Sequence, residues 1–409
     1  MFKHAILCAA ICAPLYAHAS DEAMQASGNP NSFNPAVSLI LSGTYGNLQQ
    51  DPAIPATGFA MSPNDSGHTK GFSIQESELG FSADIDPQFR GVATLSLAPT
   101  GGLTAENAFV QATTLGNGFN LKFGRFFSGL GYLNDQHSHT WDFVDQPLVY
   151  RSFWGNQLTD DGIQLKWLAP TDTFIEIGGE LGNGRSYPGS DPQKNGSAAG
   201  VLFLHVGNDI GYSNSWRLGA SLDQTHESDW TSTGVPDLNA TPGGVTDAFS
   251  GNVRTSGLDF VWKYAPGGNT TVTNFKFISE YFRRTQNGLL TYDTANASGA
   301  GNIADSYAVT QSGWYAQGVY QFMPNWRTGL RYDRLNPGVA QVGALNAANV
   351  ISDYGYTPTR TTLMVDYSPS EFARLRLQFA QDKSRQGLTD NQVFVQYIMS
   401  MGAHGAHQF

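Results

Sequence analysis

Cysteine is nearly absent from this chain. Its two cysteines, Cys8 and Cys12, both lie in the opening segment "MFKHAILCAAICAPLYAHAS", in which Lys3 precedes an apolar stretch and the small-x-small pattern "AHA". That order is typical of a secretory signal peptide and its cleavage site. We predict a signal peptide over residues 1–19. The mature chain then contains no thiol, which excludes disulfide bonds as a source of its stability.

Charge and long apolar runs are scarce as well. Charged residues make up 14% of the chain, against roughly 25% in an ordinary soluble domain. Acidic residues outnumber basic ones by 34 to 23, which argues against a nucleic-acid partner. After the signal, no apolar run reaches the length of about 18 residues that a transmembrane helix requires. The sequence therefore excludes a helical membrane span.

Aromatic residues and alternating segments are abundant instead. Aromatics reach 12%. In "GIQLKWLAP", Ile163, Leu165 and Trp167 alternate with Gln164 and Lys166. Such a period of two predicts strands with one apolar and one polar face. An exported, charge-poor chain of this kind is typical of a transmembrane β-barrel, in which every second residue faces lipid.

The alternation predicts sixteen strands. They are expected at 36–48, 72–85, 89–98, 104–115, 118–127, 161–170, 173–182, 197–208, 214–225, 254–266, 270–286, 312–323, 325–335, 358–369, 372–383 and 389–402. Short turns such as "DPQ" and "MPN" alternate with longer polar connections, among them 49–71, 226–253, 287–311 and 336–357. Outer-membrane barrels have this arrangement when both termini lie in the periplasm.

We therefore predict an all-β fold, a transmembrane antiparallel β-barrel of 16 strands with short periplasmic turns and long extracellular loops. Residues 1–19 are the signal peptide, 20–35 an N-terminal lead-in and 36–409 the barrel domain. A soluble all-β enzyme is the alternative, but such a fold has no reason to place its long connections at one end. The last strand ends either near Gly402 or at the terminal Phe409.

Several segments resemble a known family. The segment "KFGRFFSGLGYLN" enters the longest connection and the chain ends in Phe409, which resembles sixteen-stranded Gram-negative porins. The segments "ELGFSADIDPQFRGVATLSLAP", "WDFVDQPLVYR", "DDGIQLKWLAPTD" and "GAHGAHQF" resemble a proteobacterial family of porin-like outer-membrane proteins related to phosphate-selective porins. The resemblance spans essentially the whole mature chain. It extends to relatives described as zinc-regulated or TonB-dependent receptors, but the lead-in is too short for a TonB-dependent plug domain.

The resemblance to porins implies a lumen lined by charged side chains. Strand parity points these predicted pore-lining residues inward: Arg90, Lys122, Lys166, Arg217, Asp223, Lys263, Arg327, Arg331, Asp333, Arg374 and Arg376. Parity also points Lys276 and the following carboxylates inward: Glu78, Asp84, Glu176, Glu180, Asp259, Glu280, Asp366 and Asp382. Cations and anions are then nearly balanced along the wall, so phosphate selectivity is not predicted on charge grounds. The four arginines of strands 325–335 and 372–383 either form a basic ladder or pair with neighbouring aspartates.

The connection 128–160 is the predicted constriction. It is rich in aromatic residues, which disfavours disorder. We expect it to fold into the lumen and to carry Asp135, Asp142, Asp145 and Arg151. The three aspartates would face the basic wall across the narrowest point, where a transverse field orients dipolar solutes.

The same connection contains His137 and His139, within "NDQHSHTWDFVD". Asp135 or Asp142 would complete a zinc set with them. His-x-His without a partner motif also arises by chance, so no cofactor is the first expectation and zinc is the alternative. His404 and His407 form a second pair near the other end of the chain. No nucleophile motif accompanies these histidines, so an enzyme is not expected.

The predicted function is a porin in the outer membrane of a Gram-negative cell, through which small hydrophilic solutes or ions diffuse passively. One alternative is a substrate-specific or zinc-linked uptake channel or receptor. Another is a structural or adhesive barrel that does not conduct. The expected partners are outer-membrane lipid, lipopolysaccharide, the barrel-assembly machinery and, in a homotrimer, two further copies of the chain. No nucleic acid is expected.

The signal peptide makes the first testable prediction. Protein extracted from outer membranes is expected to begin at Ser20, measured by intact mass. Ala19→Lys places a large cation at the cleavage site and is expected to leave the precursor uncut. A protein that retains Met1 in the outer membrane would contradict the prediction.

Overall fold

A barrel of antiparallel strands makes up the computed structural model, which describes residues 35–52, 54–60, 69–74, 77–97, 101–112, 114–190 and 195–402. Its strands are β1 (Ala36–Leu48), β2 (Gly71–Ser73), β3 (Ser77–Asp84), β4 (Phe89–Leu97), β5 (Leu103–Ala112), β6 (Phe119–Phe127), β7 (Thr159–Leu168), β8 (Phe174–Gly182), β9 (Ala199–Ile210), β10 (Asn214–Val235), β11 (Val245–Tyr264), β12 (Asn274–Tyr292), β13 (Ile303–Met323), β14 (Trp326–Asn336), β15 (Gln341–Val342), β16 (Thr359–Ser370), β17 (Ala373–Lys383) and β18 (Asp390–Gly402). The helices are α1 (Leu148–Trp154) and 3-10 turns at Ser138–Thr140 and Pro266–Gly268.

The sheet closes on itself. Each strand pairs with its chain neighbours, and β1 completes the circle by pairing with β18 from Ser38 opposite Gly402 to Leu48 opposite Gln392. The short strands β2 and β3 both pair with β1 and together form one wall strand, while β15 is a two-residue addition to β13. The wall therefore has sixteen antiparallel strands, as the sequence predicts. By pairing β1 with β18, closure removes the two edges that an open sheet would have at these strands.

The two faces of the wall differ as the alternation requires. Along β17, Leu375, Leu377 and Phe379 are exposed on the outer face, while the alternating residues Arg376 and Gln378 are buried in the lumen. The same pattern recurs on the other strands and gives an apolar outer belt suited to lipid. Among the described residues, no helix is long and apolar enough to cross a bilayer.

The two ends of the barrel are built differently. At the end that we call the turn end, the connections are 85–88, 113–118, 169–173, 211–213, 265–273, 324–325 and 371–372. The opposite end, the loop end, has the long connections 128–158 and 337–358. Ala36 and Gly402, the outermost residues of β1 and β18, both lie at the turn end.

Four strands are longer than predicted. The alternation ends near residues 225, 254, 286 and 312, yet β10 to β13 continue past these points. The predicted loops 226–253 and 287–311 are therefore wrong, because most of each is strand. The extension of β10, "HESDWTSTGV", is polar on both faces, so its pairing with β11 has no apolar alternation to reveal it.

These four strands form a parapet, a raised part of the wall at the loop end. Connection 337–358 folds over it: Leu238 donates its backbone N–H to Asn349, and Asn346 donates to the carbonyls of Leu290 and Ile303. The Tyr292 hydroxyl, itself buried, donates to Asp237 at 2.6 Å. The parapet is therefore fixed by hydrogen bonds rather than left as loose loops.

Some predictions fall on other parts of the chain. The signal peptide, most of the lead-in, His404, His407 and Phe409 lie outside the described residues. The last described strand ends at Gly402.

The outer face makes a prediction about stability. Leu363→Arg places a charge on the lipid-facing side of β16, where the leucine is 50% exposed, and should lower the free energy of unfolding in lipid vesicles by about 2–4 kcal/mol. Thr361→Arg, on the same face nearer the loop end, should cost about 0–1 kcal/mol. Denaturant titration of refolded protein measures both. Equal costs would contradict the placement of the lipid belt.

Candidate functional site: the loop inside the lumen

The connection between β6 and β7, residues 128–158, lies inside the barrel and is called the lumen loop below. Its helix α1 buries Tyr150, Phe153 and Trp154 completely or nearly so. These rings pack with Phe203 and Phe282 on the inner wall in the largest apolar cluster of the described residues. The helix ends at Gly155, whose φ of 64° lets the chain turn back toward β7. Apolar burial thus holds one side of the loop on the β9–β14 wall.

Wall carboxylates bind the backbone of the lumen loop. Buried Glu280 on β12 accepts hydrogen bonds from the backbone N–H groups of Tyr132 and Leu133, at 2.6 and 3.1 Å, and from the Tyr150 hydroxyl. Asp333 on β14 accepts from the N–H of Leu148 at 3.0 Å. Because an unpaired buried N–H is costly, these contacts specify where the irregular backbone runs.

Two aspartates anchor another part of the loop to cations on β12, β14 and β16. Asp145 binds Arg331 at 2.9 Å and also Arg360. Asp142 binds Lys276 at 2.8 Å and Arg327 at 3.3 Å. All four carboxylate–cation contacts are within the lumen and mostly shielded from solvent.

The charge state of Asp142 follows from these partners. Burial favours the neutral acid, but the cations Lys276 and Arg327 outweigh it and hold the pKa of the Asp142 carboxyl below its ordinary value. Asp142 therefore stays ionised at neutral pH and keeps both ion pairs.

The predicted gap between acidic loop and basic wall is wrong for Asp142 and Asp145. Both touch wall cations directly, because the two residues between them pack on the wall: Phe143 on Val319 and Met364, and Val144 on Leu48 and Phe394. Both interpretations of the arginine ladder hold in part. Arg331 binds Asp145 of the loop and also Asp333 on its own strand, while Arg327 and Arg376 share the wall carboxylate Asp366.

Five of the other predicted pore residues lie around the loop. Asp223 lies behind the loop, buried, and accepts a hydrogen bond from the indole N–H of Trp154 at 3.2 Å. Lys122, Lys166 and Arg217 line a lumen cavity between the loop and strands β5 to β10, together with Asp135 of the loop. We call this space the lumen cavity. Arg374 donates to the carbonyls of His139 and Trp141.

A second cavity opens at the loop end. Arg151 of α1 lines it with Asp382 and Arg385, and residues 54–56 lie on its other side. Arg151 therefore lies on the loop-end face of the lumen loop, whereas Asp135 lies on the lumen cavity.

Charge is segregated along the barrel axis. A basic ring lies within four residues of the turn end of its strands: Arg90, Lys122, Lys166, Arg217, Lys263, Lys276, Arg327, Arg374 and Arg376. Wall carboxylates gather within four residues of the loop end instead: Glu78, Glu106, Glu180, Asp333, Asp382 and Asp390. A count of inward cations and anions over the whole wall does not reveal that they lie at different ends of the barrel. Measuring each residue's distance from its turn would have found it from sequence.

The ring is not free of acids. Glu176 binds Lys166 at 3.4 Å and His205 at 3.1 Å, and Asp84 lies 3.6 Å from Arg90. Asp366 binds Arg327 at 2.6 Å and lies 3.5 Å from Arg376, and Asp142 of the loop binds Lys276 and Arg327. Cations nevertheless outnumber the carboxylates at that end of the lumen, so the local potential there is positive.

The histidines of the loop meet carboxylates that the sequence did not indicate. His137 Nδ1 lies 3.2 Å from Glu78 and 3.1 Å from Glu106, and His139 Nδ1 lies 2.9 Å from the other oxygen of Glu78. The predicted partners Asp135 and Asp142 are not in this cluster: Asp142 binds Lys276 and Arg327. The physical reason is that the loop turns at 138–140 and brings both rings to β3 and β5.

Comparison with solved structures identifies the fold as that of outer-membrane porins. The chain superposes on OmpT of Vibrio cholerae in a trimer form (TM-score 0.52, 12% identity, 90% of this chain and 99% of that one). It also superposes on an anion-selective porin from Comamonas acidovorans (TM-score 0.51, 12% identity, 90% and 99%) and on the outer-membrane channel DcaP of Acinetobacter baumannii (TM-score 0.50, 12% identity, 90% and 97%). The resemblance to porins is thereby confirmed for the fold.

Sequence comparison is less specific. No family model matches the chain. A protein of Aquifex aeolicus strain VF5, described as uncharacterized, is 28% identical over 413 residues, which cover 92% of this chain and 80% of that protein. The relation to phosphate-selective porins stays a prediction.

The anchoring of the loop makes a prediction. Asp145→Ala leaves Arg331 and Arg360 buried without their carboxylate and should lower the free energy of unfolding by about 3–5 kcal/mol. Asp161→Ala removes a matched ion pair with Arg125, in which both side chains are 39% exposed, and should cost about 0–1 kcal/mol. Denaturant titration measures the free energy of unfolding of both variants, and limited proteolysis of the folded barrels shows whether the lumen loop becomes accessible. Equal stability, with no new cleavage in 128–158, would contradict the anchoring role.

Proposed function

We propose that this protein is an outer-membrane porin through which small hydrophilic solutes diffuse passively. The observation that carries the proposal is the lumen loop, fixed inside a closed barrel by buried ion pairs while a polar, charge-lined cavity remains beside it. A fixed loop that narrows a charge-lined lumen restricts solutes by size and charge without any covalent step. No catalytic role is assigned to any lumen residue.

The basic ring gives the proposed channel a preference for anions. Lys122, Lys166 and Arg217 line the lumen cavity near the turn end, and a positive mouth raises the local concentration of anionic solutes. The anion-selective porin from Comamonas acidovorans has a similar fold, which supports this direction only by analogy. A specific solute is not proposed.

Export and assembly complete the proposal. The chain would cross the inner membrane by its signal peptide, be inserted by the barrel-assembly machinery and contact lipid and lipopolysaccharide through its apolar outer face. The trimer form of Vibrio cholerae OmpT, which has the same fold, supports a homotrimer.

A non-conducting barrel is the second candidate. The lumen loop contacts wall strands on opposite sides of the lumen, from Glu78 on β3 to Lys276 on β12. A plug held in this way favours a structural role if the lumen cavity does not connect the two ends.

Single-channel recording distinguishes these functions. Refolded protein in planar bilayers is expected to conduct. Under a potassium chloride gradient, the sign of the reversal potential should show that chloride permeates more easily than potassium. Lys122→Gln with Lys166→Gln removes two ring cations and should move that potential toward zero. Lys383→Gln, on the exposed outer side of β17, is the matched control and should leave it unchanged.

Each outcome decides between the readings. Absence of conductance from correctly folded barrels, judged by the gel mobility of unheated sample, would establish the non-conducting barrel. Conductance with a potassium preference would overturn the role of the basic ring while retaining the channel.

A further inference from the structure

One cluster in the lumen has no part in the proposed diffusion. It joins Glu78 of β3, Glu106 of β5 and His137 of the lumen loop, whose nearest nitrogen and oxygen atoms all lie within 4.8 Å of one another. His137 Nδ1 lies 3.2 Å from one Glu78 oxygen and 3.1 Å from one Glu106 oxygen. Three donors from three separate segments therefore converge on one point.

The spacing of these donors suits a metal ion. A tetrahedral zinc site with bonds of about 2.0–2.2 Å places its ligand atoms about 3.3 Å from one another. The two nitrogen–oxygen distances at His137 already approach that value. Binding would bring the Glu78 and Glu106 oxygens, which lie within 4.8 Å of each other, to that spacing by side-chain torsions rather than by a rearrangement of the wall.

The surroundings of the donors also favour a cation. The Glu78 and Glu106 side chains are only 4% and 13% exposed, and two carboxylates this close repel each other where water is scarce. Their ion pairs are with the two loop histidines. One divalent ion would balance both carboxylates while the imidazoles remain neutral.

Neighbouring groups fix the donors in place. His139 Nδ1 and the Ser138 hydroxyl hold the second oxygen of Glu78, at 2.9 and 3.2 Å. The Asn107 amide nitrogen lies 3.1 Å from His137 Nε2 and so orients Nδ1 toward the carboxylates. With a metal on Nδ1, the amide must turn so that its oxygen accepts the Nε2–H. Metal-binding residues in proteins are usually positioned by contacts of this kind. His137 also borders the lumen cavity, which leaves a side of the cluster open to ions or water.

We propose that Glu78, Glu106 and His137 form a lumenal site for a divalent transition-metal ion of the zinc type, with His139 and Asn107 as positioning residues. The mixture of one imidazole and two carboxylates favours zinc and its neighbours over magnesium. A bound ion ties the 137–139 segment of the lumen loop to β3 and β5. It thereby reinforces the loop on the side opposite to the Asp142 and Asp145 anchors.

Metal binding is measured on the intact refolded barrel in detergent, independently of conductance. Calorimetric titration with zinc chloride is expected to give one ion per chain, and magnesium chloride no binding at the same concentration. X-ray absorption spectroscopy at the zinc edge of the zinc-loaded barrel should show nitrogen and oxygen ligands, including imidazole. Glu106→Gln keeps the size of the side chain, removes one charge and should weaken zinc binding at least about tenfold.

A matched pair elsewhere in the lumen serves as the control. His205 lies 3.1 Å from Glu176, but Lys166 occupies the other side of that carboxylate. His205→Ala should therefore leave the zinc affinity unchanged, whereas His137→Ala should reduce it at least as much as Glu106→Gln. Folding of each variant is checked by its unheated gel mobility.

The possible results are distinct. Absence of stoichiometric zinc binding by folded wild-type barrel would overturn the site. So would zinc binding that survives both His137→Ala and Glu106→Gln, or that is lost in His205→Ala instead. None of these results depends on whether the barrel conducts, so the proposal and the porin function fail separately.

Discussion

Neutralisation of buried charge is the constraint on which the interior of this barrel depends. Arg331, Arg360 and Asp145 are almost fully removed from solvent, and none of them is stable there without its partners. Removing one partner of such a group leaves an uncompensated charge, which costs more than the pair contributes. The lumen loop is therefore restricted to a course that brings its carboxylates to the arginines. The apolar packing of α1 and the backbone contacts to Glu280 agree with that course.

Sequence pattern predicts the wall much better than it predicts what the wall encloses. Alternation identified the lipid-facing leucines of β17 and the inward arginines beside them, because a strand imposes its period on every residue. The same signal failed in the extensions of β10 to β13, because polar residues such as Ser228, Asp229 and Asp247 interrupt the apolar period there. The extensions are held by backbone pairing and by a small buried apolar cluster of Phe249, Val253 and Leu290.

The site could be predicted only in part for a similar reason. Strand parity predicted that Arg327 and Arg331 point inward, and the composition of the loop predicted that Asp142 and Asp145 lie near them. The contact of His139 with Glu78 spans 61 residues and depends on where the loop bends. No local pattern encodes that bend. A count of inward charges likewise missed the basic ring, because the ring is defined by the position of the cations along the barrel axis and not by their total number.

In the outer membrane proposed above for this protein, the loop end would face the cell surface and expose the parapet formed by β10 to β13. Its outline is assembled from residues far apart in the chain, such as Asp237 beside Tyr292 and Leu238 beside Asn349. An antibody or phage protein that recognises it must therefore recognise a folded shape. Linear peptides copied from a single strand would be poor immunogens for the native protein, and intact barrels would be needed instead.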